Sequence, residues 1–345
     1  MKKILVTGGA GYIGSHTVVD LIEHGYEVIS VDNYCRSDAR MLLGIEAITG
    51  KKITNYAIDL CSLTDTRKVF EENPDLVGII HFAAYKAVGE SVEQPLLYFE
   101  NNLQSLINLL KCVQEFRIPN FVFSSSCTVY GEPEKIPVTE ATPLQPATSP
   151  YGLTKQTGEQ MLEAFVKTNS CSVLLLRYFN PAGAHPTAQI GELPIGRPQN
   201  LVPAITQTAI GVIDHLQVHG TDYSTRDGSC IRDFIHVCDL AQAHTQGIQL
   251  LEKEGTSNHC KPINLGSGTG MTVLECIHAF EKVSGAKLNW SVGPRRPGDV
   301  IAIYANNEKA KTLLGWEARY GIDDIMATAW AWEQRYRSGQ TVLGS

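Results

Sequence analysis

Short apolar runs and helix-like stretches alternate along the first half of the chain. The apolar runs are KILV (3–6), EVISV (27–31), KITNYAI (52–58), LVGIIHF (76–82), NFVFSS (120–125) and SVLLLRYF (172–179). Helix-like stretches fall near 12–24, 64–72, 96–116 and 150–168. Continuous apolar strands separated by helices predict a parallel sheet covered on both faces. Ligands of such sheets gather beyond the carboxyl ends of the strands, so the residues just after each strand matter most.

After RYFN the texture changes. Residues 181–200, PAGAHPTAQIGELPIGRPQN, are rich in Gly and Pro and predict a long loop. Strand and helix signals beyond it are shorter and less regular. The expected division is a cofactor-holding domain over 1–180 and a smaller substrate lobe over 181–345, interleaved with it. The stretch 96–116 carries apolar residues on more than one face. A helix outside a sheet needs only one such face. The second predicts a homodimer in which this helix and that at 150–168 form a two-fold bundle.

Composition changes little. The 345 residues are 43% hydrophobic and 19% charged, with a net charge of −7. That describes an ordinary soluble globular chain with no basic patch for nucleic acid. No apolar run approaches a membrane span. Nine irregularly spaced cysteines predict reduced thiols and a cytoplasmic protein. Ten histidines are present, and no metal site is expected from them.

The first strand runs into VTGGAGYIGSH, where Gly8, Gly11 and Gly14 make a GxxGxxG turn that opens a helix. Glycine lets the backbone turn tightly and lets a diphosphate approach the helix N-terminus, whose free N–H groups attract anions. The context of strand before and helix after makes this a dinucleotide site in a Rossmann-type, doubly wound α/β fold. Asp32 closes the second strand, 18 residues after Gly14. Its carboxylate suits a ribose 2′-hydroxyl and repels a 2′-phosphate, which favours NAD, although Arg36 nearby is of the type that receives such a phosphate. Asp59 ends the third strand, either to meet adenine or to cap a helix. Ala83 and Ala84 after the fourth strand are small enough for close cofactor approach.

The chemistry lies after the fifth strand. SSSCTVYG (124–131) brings hydroxyls, and SPYGLTKQTGEQ (149–160) sets Tyr151 and Lys155 four residues apart on one helix face. Beside NAD, a hydroxyl, a tyrosine and a lysine make a hydride-transfer site, because removing hydride from a carbinol also requires a base for its proton. Tyrosine ordinarily titrates near 10, and bringing it to 7 takes roughly 4 kcal/mol of preferential phenolate stabilisation. Burial opposes this, so two cations, Lys155 and the oxidised nicotinamide, are expected to supply it. Ser126 or Thr128 can hold the reacting oxygen.

TGGAGYIG, SSSCTVYG, SPYGLTKQTGEQ, LRYFNPAGAHP, RDFIHVCDLA and RRPGD together resemble the UDP-glucose (UDP-galactose) 4-epimerases, of the extended short-chain dehydrogenase/reductase family. The resemblance runs from Lys3 to about Trp332, and RYFNPAGAHP with RRPGD is its most specific part. It implies that Tyr151 is the base, that Lys155 tunes it and that Ser126 assists at the sugar 4-hydroxyl. It implies NAD contacts from Tyr12, Ile13, Asp32, Asn33, Asp59, Leu60, Phe82, Lys86, Asn101 and Phe179. It implies a UDP-hexose site drawing on Lys86, Thr128, Asn180, Asn200, Leu201, Gln217, His219, Arg232, Arg296, Asp299 and Ile303.

Such enzymes abstract hydride from C4, let the 4-keto sugar turn over, and return the hydride to the other face. That needs a firm grip on UDP and a loose one on the hexose, for which Arg232 and Arg296 are suited. Two positions depart from the pattern. His219 stands where these enzymes commonly have phenylalanine near the uridine. Ile303 stands where a large tyrosine restricts the sugar pocket and a small residue admits N-acetylated sugars, so some turnover of UDP-GlcNAc and UDP-GalNAc is expected beside a preferred UDP-Glc/UDP-Gal pair. The nearest rival is a nucleotide-sugar 4,6-dehydratase or decarboxylase on the same fold. Dehydratases typically carry an Asp-Glu pair where this chain has Cys127 and Thr128. A non-catalytic NAD sensor is the rival of another class, and it is expected to lack Tyr151 or Lys155.

Overall fold

The structure is a computed structural model that describes residues 1–296 and 300–339. The first half reads β1 (Lys3–Thr7), α1 (Tyr12–Glu23), β2 (Glu27–Val31), α2 (Arg40–Thr49), β3 (Thr54–Tyr56), α3 (Leu63–Glu72), β4 (Leu76–His81), α4 (Val88–Glu93), α5 (Pro95–Phe116), β5 (Asn120–Ser126), α6 (Pro150–Phe165) and β6 (Ser172–Tyr178). The second half reads β7 (Asn180–Ala182), α7 (Leu201–Ala209), β8 (Leu216–His219), β9 (Ile231–Arg232), β10 (Phe234–His236), α8 (Val237–Glu254), β11 (Cys260–Leu265), β12 (Met271–Thr272), α9 (Val273–Ser284), β13 (Trp290–Gly293), β14 (Ala302–Ile303), α10 (Glu308–Leu314) and α11 (Ile322–Arg337).

Seven strands form one parallel sheet in the order β11-β6-β5-β4-β1-β2-β3. Every residue of β5 and β6 is buried, which is why those runs lack polar alternation. The sheet divides its core in two. On one face β1, β4 and β6 side chains pack with α1 and α8 around Val18, Leu21, Leu240 and Ile248. On the other, Phe121, Phe123 and Leu175 pack with α3, α5 and α6. The predicted elements appear at their places, except that the third strand shrinks to Thr54–Tyr56. The sheet also takes β11 from the far half of the chain, and α8 lies against α1.

The remaining elements build a smaller region whose own core includes Ile205, Phe234, Ile277, Phe280 and Met326. Asp233, fully buried, ties its strands together. Its carboxylate accepts from the backbone N–H of Ser267 (2.8 Å), Gly268 (3.3 Å) and Ala305 (3.0 Å) and from the Ser267 hydroxyl (2.6 Å). An orphaned N–H at the buried Ala305 would cost about 1–3 kcal/mol. One carboxylate thus fixes β9, which carries Arg232, against the strand that carries Ile303.

Candidate active site

The carboxyl ends of the sheet strands open into one cleft of about 660 Å³. That size suits a bound small molecule. Its floor is the turn from β1 into α1. Gly8 has φ +72°, and a side chain there would press on the Ala83 backbone. A Cβ on Gly14 would sit 2.0 Å from the Gly8 carbonyl oxygen. The turn therefore admits only glycine at these two places, and its first helical N–H groups face the cleft without side chains in front.

Asp32 stands at the rim, held by the N–H groups of Ala10 (3.0 Å) and Tyr34 (2.9 Å) and by the Ser37 hydroxyl (2.6 Å). Arg36, the residue suited to a 2′-phosphate, is instead paired with Glu90 at 2.6 Å. The rim thus presents a fixed carboxylate and a neutralised arginine, which fits the ribose hydroxyls of NAD. Asp59 lines the cleft and does not cap α3, whose N-cap is Ser62. Ala83, Ala84, Asn33, Leu60, Phe82 and Asn101 line the same space, as do Tyr12 and Ile13.

Tyr151 and Lys155 enter from α6, started by the Ser149 cap, whose hydroxyl accepts from Gly152 N–H at 3.1 Å, and by Pro150 at its first turn. The Lys155 Nζ lies 5.9 Å from the centroid of the Tyr151 ring and donates to the Ser124 carbonyl at 2.7 Å. Burial works against both charged forms. It pushes the Tyr151 phenol up to about 12, with the Ser126 hydroxyl opposing the rise. It pulls the Lys155 ammonium down to about 8, with the Glu159 carboxylate opposing the fall. Without the cofactor's charge, burial therefore holds Tyr151 as a neutral phenol. The Ser126 hydroxyl accepts from Thr128 N–H at 3.2 Å, and the buried Thr128 Oγ1 has no partner among the described residues.

Across the cleft stand Asn180, Asn200, Arg232, Arg296 and Ile303. Glu192 bridges its walls, accepting from Asn200 Nδ2 at 2.6 Å and Lys86 Nζ at 3.3 Å. Five predicted residues lie apart from this lining or behind it. Ser126 is buried just under Tyr151. Phe179 is 5% exposed, packed with Val129, Tyr130 and Ile303. Leu201 packs on the core of the smaller region. Gln217 and His219 point outward from β8. Asp299 lies outside the described residues. His215 and His219 stand four apart, but an extended backbone separates such residues by about 13 Å, too far to share a metal ion. Sequence reasoning passed over Ser37, Glu192 and Arg197, which no motif or periodicity marks, and Tyr178, which reads as a strand residue within the RYFN motif; all four line the cleft.

A family profile described as GDP-mannose 4,6 dehydratase matches residues 5–329. The chain is 48% identical over 341 residues to "UDP-glucose 4-epimerase uge1" of Schizosaccharomyces pombe, covering 97% of this chain and 95% of that one. It is 48% identical over 337 residues to the UDP-glucose 4-epimerase of Bacillus subtilis, covering 97% and 98%. Among solved structures, UDP-glucose 4-epimerase from Bifidobacterium longum in complex with NAD+ and UDP aligns with a TM-score of 0.93 at 44% identity, over 98% of this chain and 99% of that one. The enzyme from Stenotrophomonas maltophila with bound NAD and formylated UDP-arabinopyranose gives 0.95 at 41%, over 98% and 100%.

Gly14→Val tests the floor of the cleft. The unchanged protein should carry a dinucleotide through purification and the variant should not, as read by chromatography of nucleotide released on denaturation. Equal nucleotide content in both would refute the assignment of this turn.

Proposed function

The chain belongs to the UDP-glucose 4-epimerases, and from that membership we propose which of its residues carry the reaction. It interconverts UDP-galactose and UDP-glucose with NAD. Bound NAD supplies the acceptor for the C4 hydride and then its donor. The observation that carries the residue assignment is the meeting of Tyr151, Lys155 and the Gly8–Gly14 turn in one cleft.

Gly8, Gly11, Gly14, Asp32 and Asp59 hold the dinucleotide. Tyr151 takes the proton from the sugar O4 through its phenol oxygen, and Ser126 orients that oxygen. Burial holds the phenol near 12, so its ionisation needs positive charge beside it, which the Lys155 ammonium supplies and bound NAD+ would add to. Arg232 and Arg296 grip the diphosphate, and Asn180 and Asn200 fix the UDP end. The hexose faces Thr128 and Ile303 across neutral surfaces, which leave it free to turn over. Cys127 and Thr128 after β5 are not the carboxylate pair that eliminating water would need, so epimerisation is favoured over dehydration despite the name of the family profile.

Residues 1–180 serve the cofactor and 181–345 the nucleotide sugar, interleaved because α8 and β11 return to the first sheet. The protein acts as a homodimer. In support, Leu96, Phe99, Leu103 and Ile107 recur at helical spacing on α5 and are not buried, with Leu96 77% exposed, and Leu153 of the adjoining α6 is 44% exposed. A cytoplasmic location accords with nine unpaired cysteines. Among the described residues, no helix is long and apolar enough to cross a membrane.

UDP-galactose labelled with deuterium at C4, offered without added NAD, should yield UDP-glucose with the label kept on the sugar. Tyr151→Phe should slow this by ~10³-fold with little change in UDP affinity. Loss of label to water would exclude direct hydride return. In the same assay UDP-GalNAc should turn over more slowly than UDP-galactose, and equal rates would overturn the role given to Ile303. Sedimentation should find a dimer, converted to monomer by Leu103→Glu with Leu153→Glu; a wild-type monomer at micromolar concentration removes the dimer proposal. Cell fractionation should recover the protein with cytoplasmic markers, and recovery with secreted ones would contradict its placement.

A further inference from the structure

Lys155 needs its charge, yet its surroundings are poor at keeping it. The Nζ is buried, donates to one backbone carbonyl, and lies 4.9 Å from the centroid of the Phe123 ring. One turn further along α6 lies Glu159, 2% exposed. It does not bond Lys155. Both of its oxygens are bound by Arg177 of β6, from Nε at 2.8 Å and Nη2 at 2.6 Å, and the Ser125 hydroxyl of β5 donates to the same carboxylate. Arg177 also donates to the Tyr130 phenol at 3.2 Å, and that phenol to the Asn264 side chain at 2.6 Å.

A buried ion pair is a weak device for stability alone, since desolvating two charges consumes most of what their attraction returns. This one includes the residue one turn along α6 from the catalytic lysine, on a buried stretch of the helix. We infer that Glu159 is a positioning residue for the epimerase reaction: its carboxylate, locked by Arg177 and Ser125, keeps Lys155 cationic beneath Tyr151. The inference rests on reading Tyr151 and Lys155 as the proton-moving pair.

The other groups around Lys155 cannot take this part. On α6 itself Tyr151 is a neutral phenol. From β4 comes His81, held neutral by burial with its ring bonded to the Thr7 hydroxyl at 2.7 Å. From β6 come Tyr178, pushed upward by burial, and Arg177, a cation already paired with Glu159. The turn after β5 gives Cys127 and Tyr130, both pushed up by burial, and β11 gives Cys260, likewise pushed up. From α5 the neutral Asn102 meets Thr154. Removing carboxylate 159 would take from buried Lys155 the anion that opposes its loss of charge, and leave Arg177 buried without its partner.

The test follows Lys155 directly. Holoenzyme labelled with ¹³C at lysine Cε is titrated by NMR, with the Lys155 signal assigned by its loss in Lys155→Met. In the unchanged protein the signal should titrate below the usual lysine range. In Glu159→Gln the midpoint should fall by about one unit or more, and the basic limb of the kcat profile should fall with it. Glu159→Asp should return both toward their original values. If Glu159→Gln alone does not fold, the double variant Glu159→Gln, Arg177→Gln replaces it, with a fall in the same direction. A folded variant lacking the carboxylate whose Lys155 midpoint is unmoved overturns the inference, as does a loss of activity equal at every pH. Failure of the unchanged protein to epimerise UDP-galactose would instead sink the reading of the site, and the NMR titration distinguishes the two.

Discussion

Taking a phenol and an ammonium out of water is the constraint around which this structure is arranged. Water would stabilise both charged forms of Tyr151 and Lys155, and the cleft removes it. Tyr151 therefore stays protonated and Lys155 loses much of its hold on its proton. Proton transfer in such a place depends on charges fixed nearby, because a charge acts far more strongly there than in solvent. The site needs one cation that arrives and one that stays. The arriving one belongs to the cofactor. The staying one is Lys155, backed by an acid that is itself pinned.

The fold supplies the pinning. Parallel strands end at one level, so the Gly8–Gly14 turn, Asp32, Ala83 and the Ser124–Thr128 segment meet along one edge although they are far apart in sequence. Helix α6 then crosses that edge with Tyr151 and Lys155 on its inner face, and its buried Glu159 reaches the neighbouring strand through Arg177. The smaller region closes the other wall. Asp233 sets β9 and β14 in register, so Arg232 and Ile303 face the cleft from adjacent strands. In the proposed assignment, cations at the diphosphate end and neutral side chains at the hexose end divide binding from turnover.

Much of this was legible in the chain. Continuous apolar runs foretold a sheet buried on both faces, and the glycine spacing between strand and helix foretold the dinucleotide turn. The YxxxK pair and the hydroxyls after the fifth strand carried the chemistry. Each of these is a local signal, encoded within one element and its flanks. By contrast, α2 and α4 gave no periodic signal strong enough to notice, and β11 belongs to a sheet whose other strands lie in the first half of the chain. Phe179, Leu201, Gln217 and His219 were expected around the ligands by resemblance alone. They lie outside the cleft's lining because strand direction and core packing, not residue type, decide where each side chain points.

By itself, then, the order of residues determined the element types, the glycine turn, the rim carboxylate and the placing of Tyr151 and Lys155 on one helix face, since these depend on backbone freedom and periodicity over a few residues. Only the tertiary structure decided that Arg36 is neutralised by Glu90, that Glu192 bridges the cleft walls, and that Glu159, one turn along from Lys155, is bound to an arginine from another strand. The reason is that charge in a protein is governed by burial and by neighbours distant in sequence, and neither exists until the chain has folded.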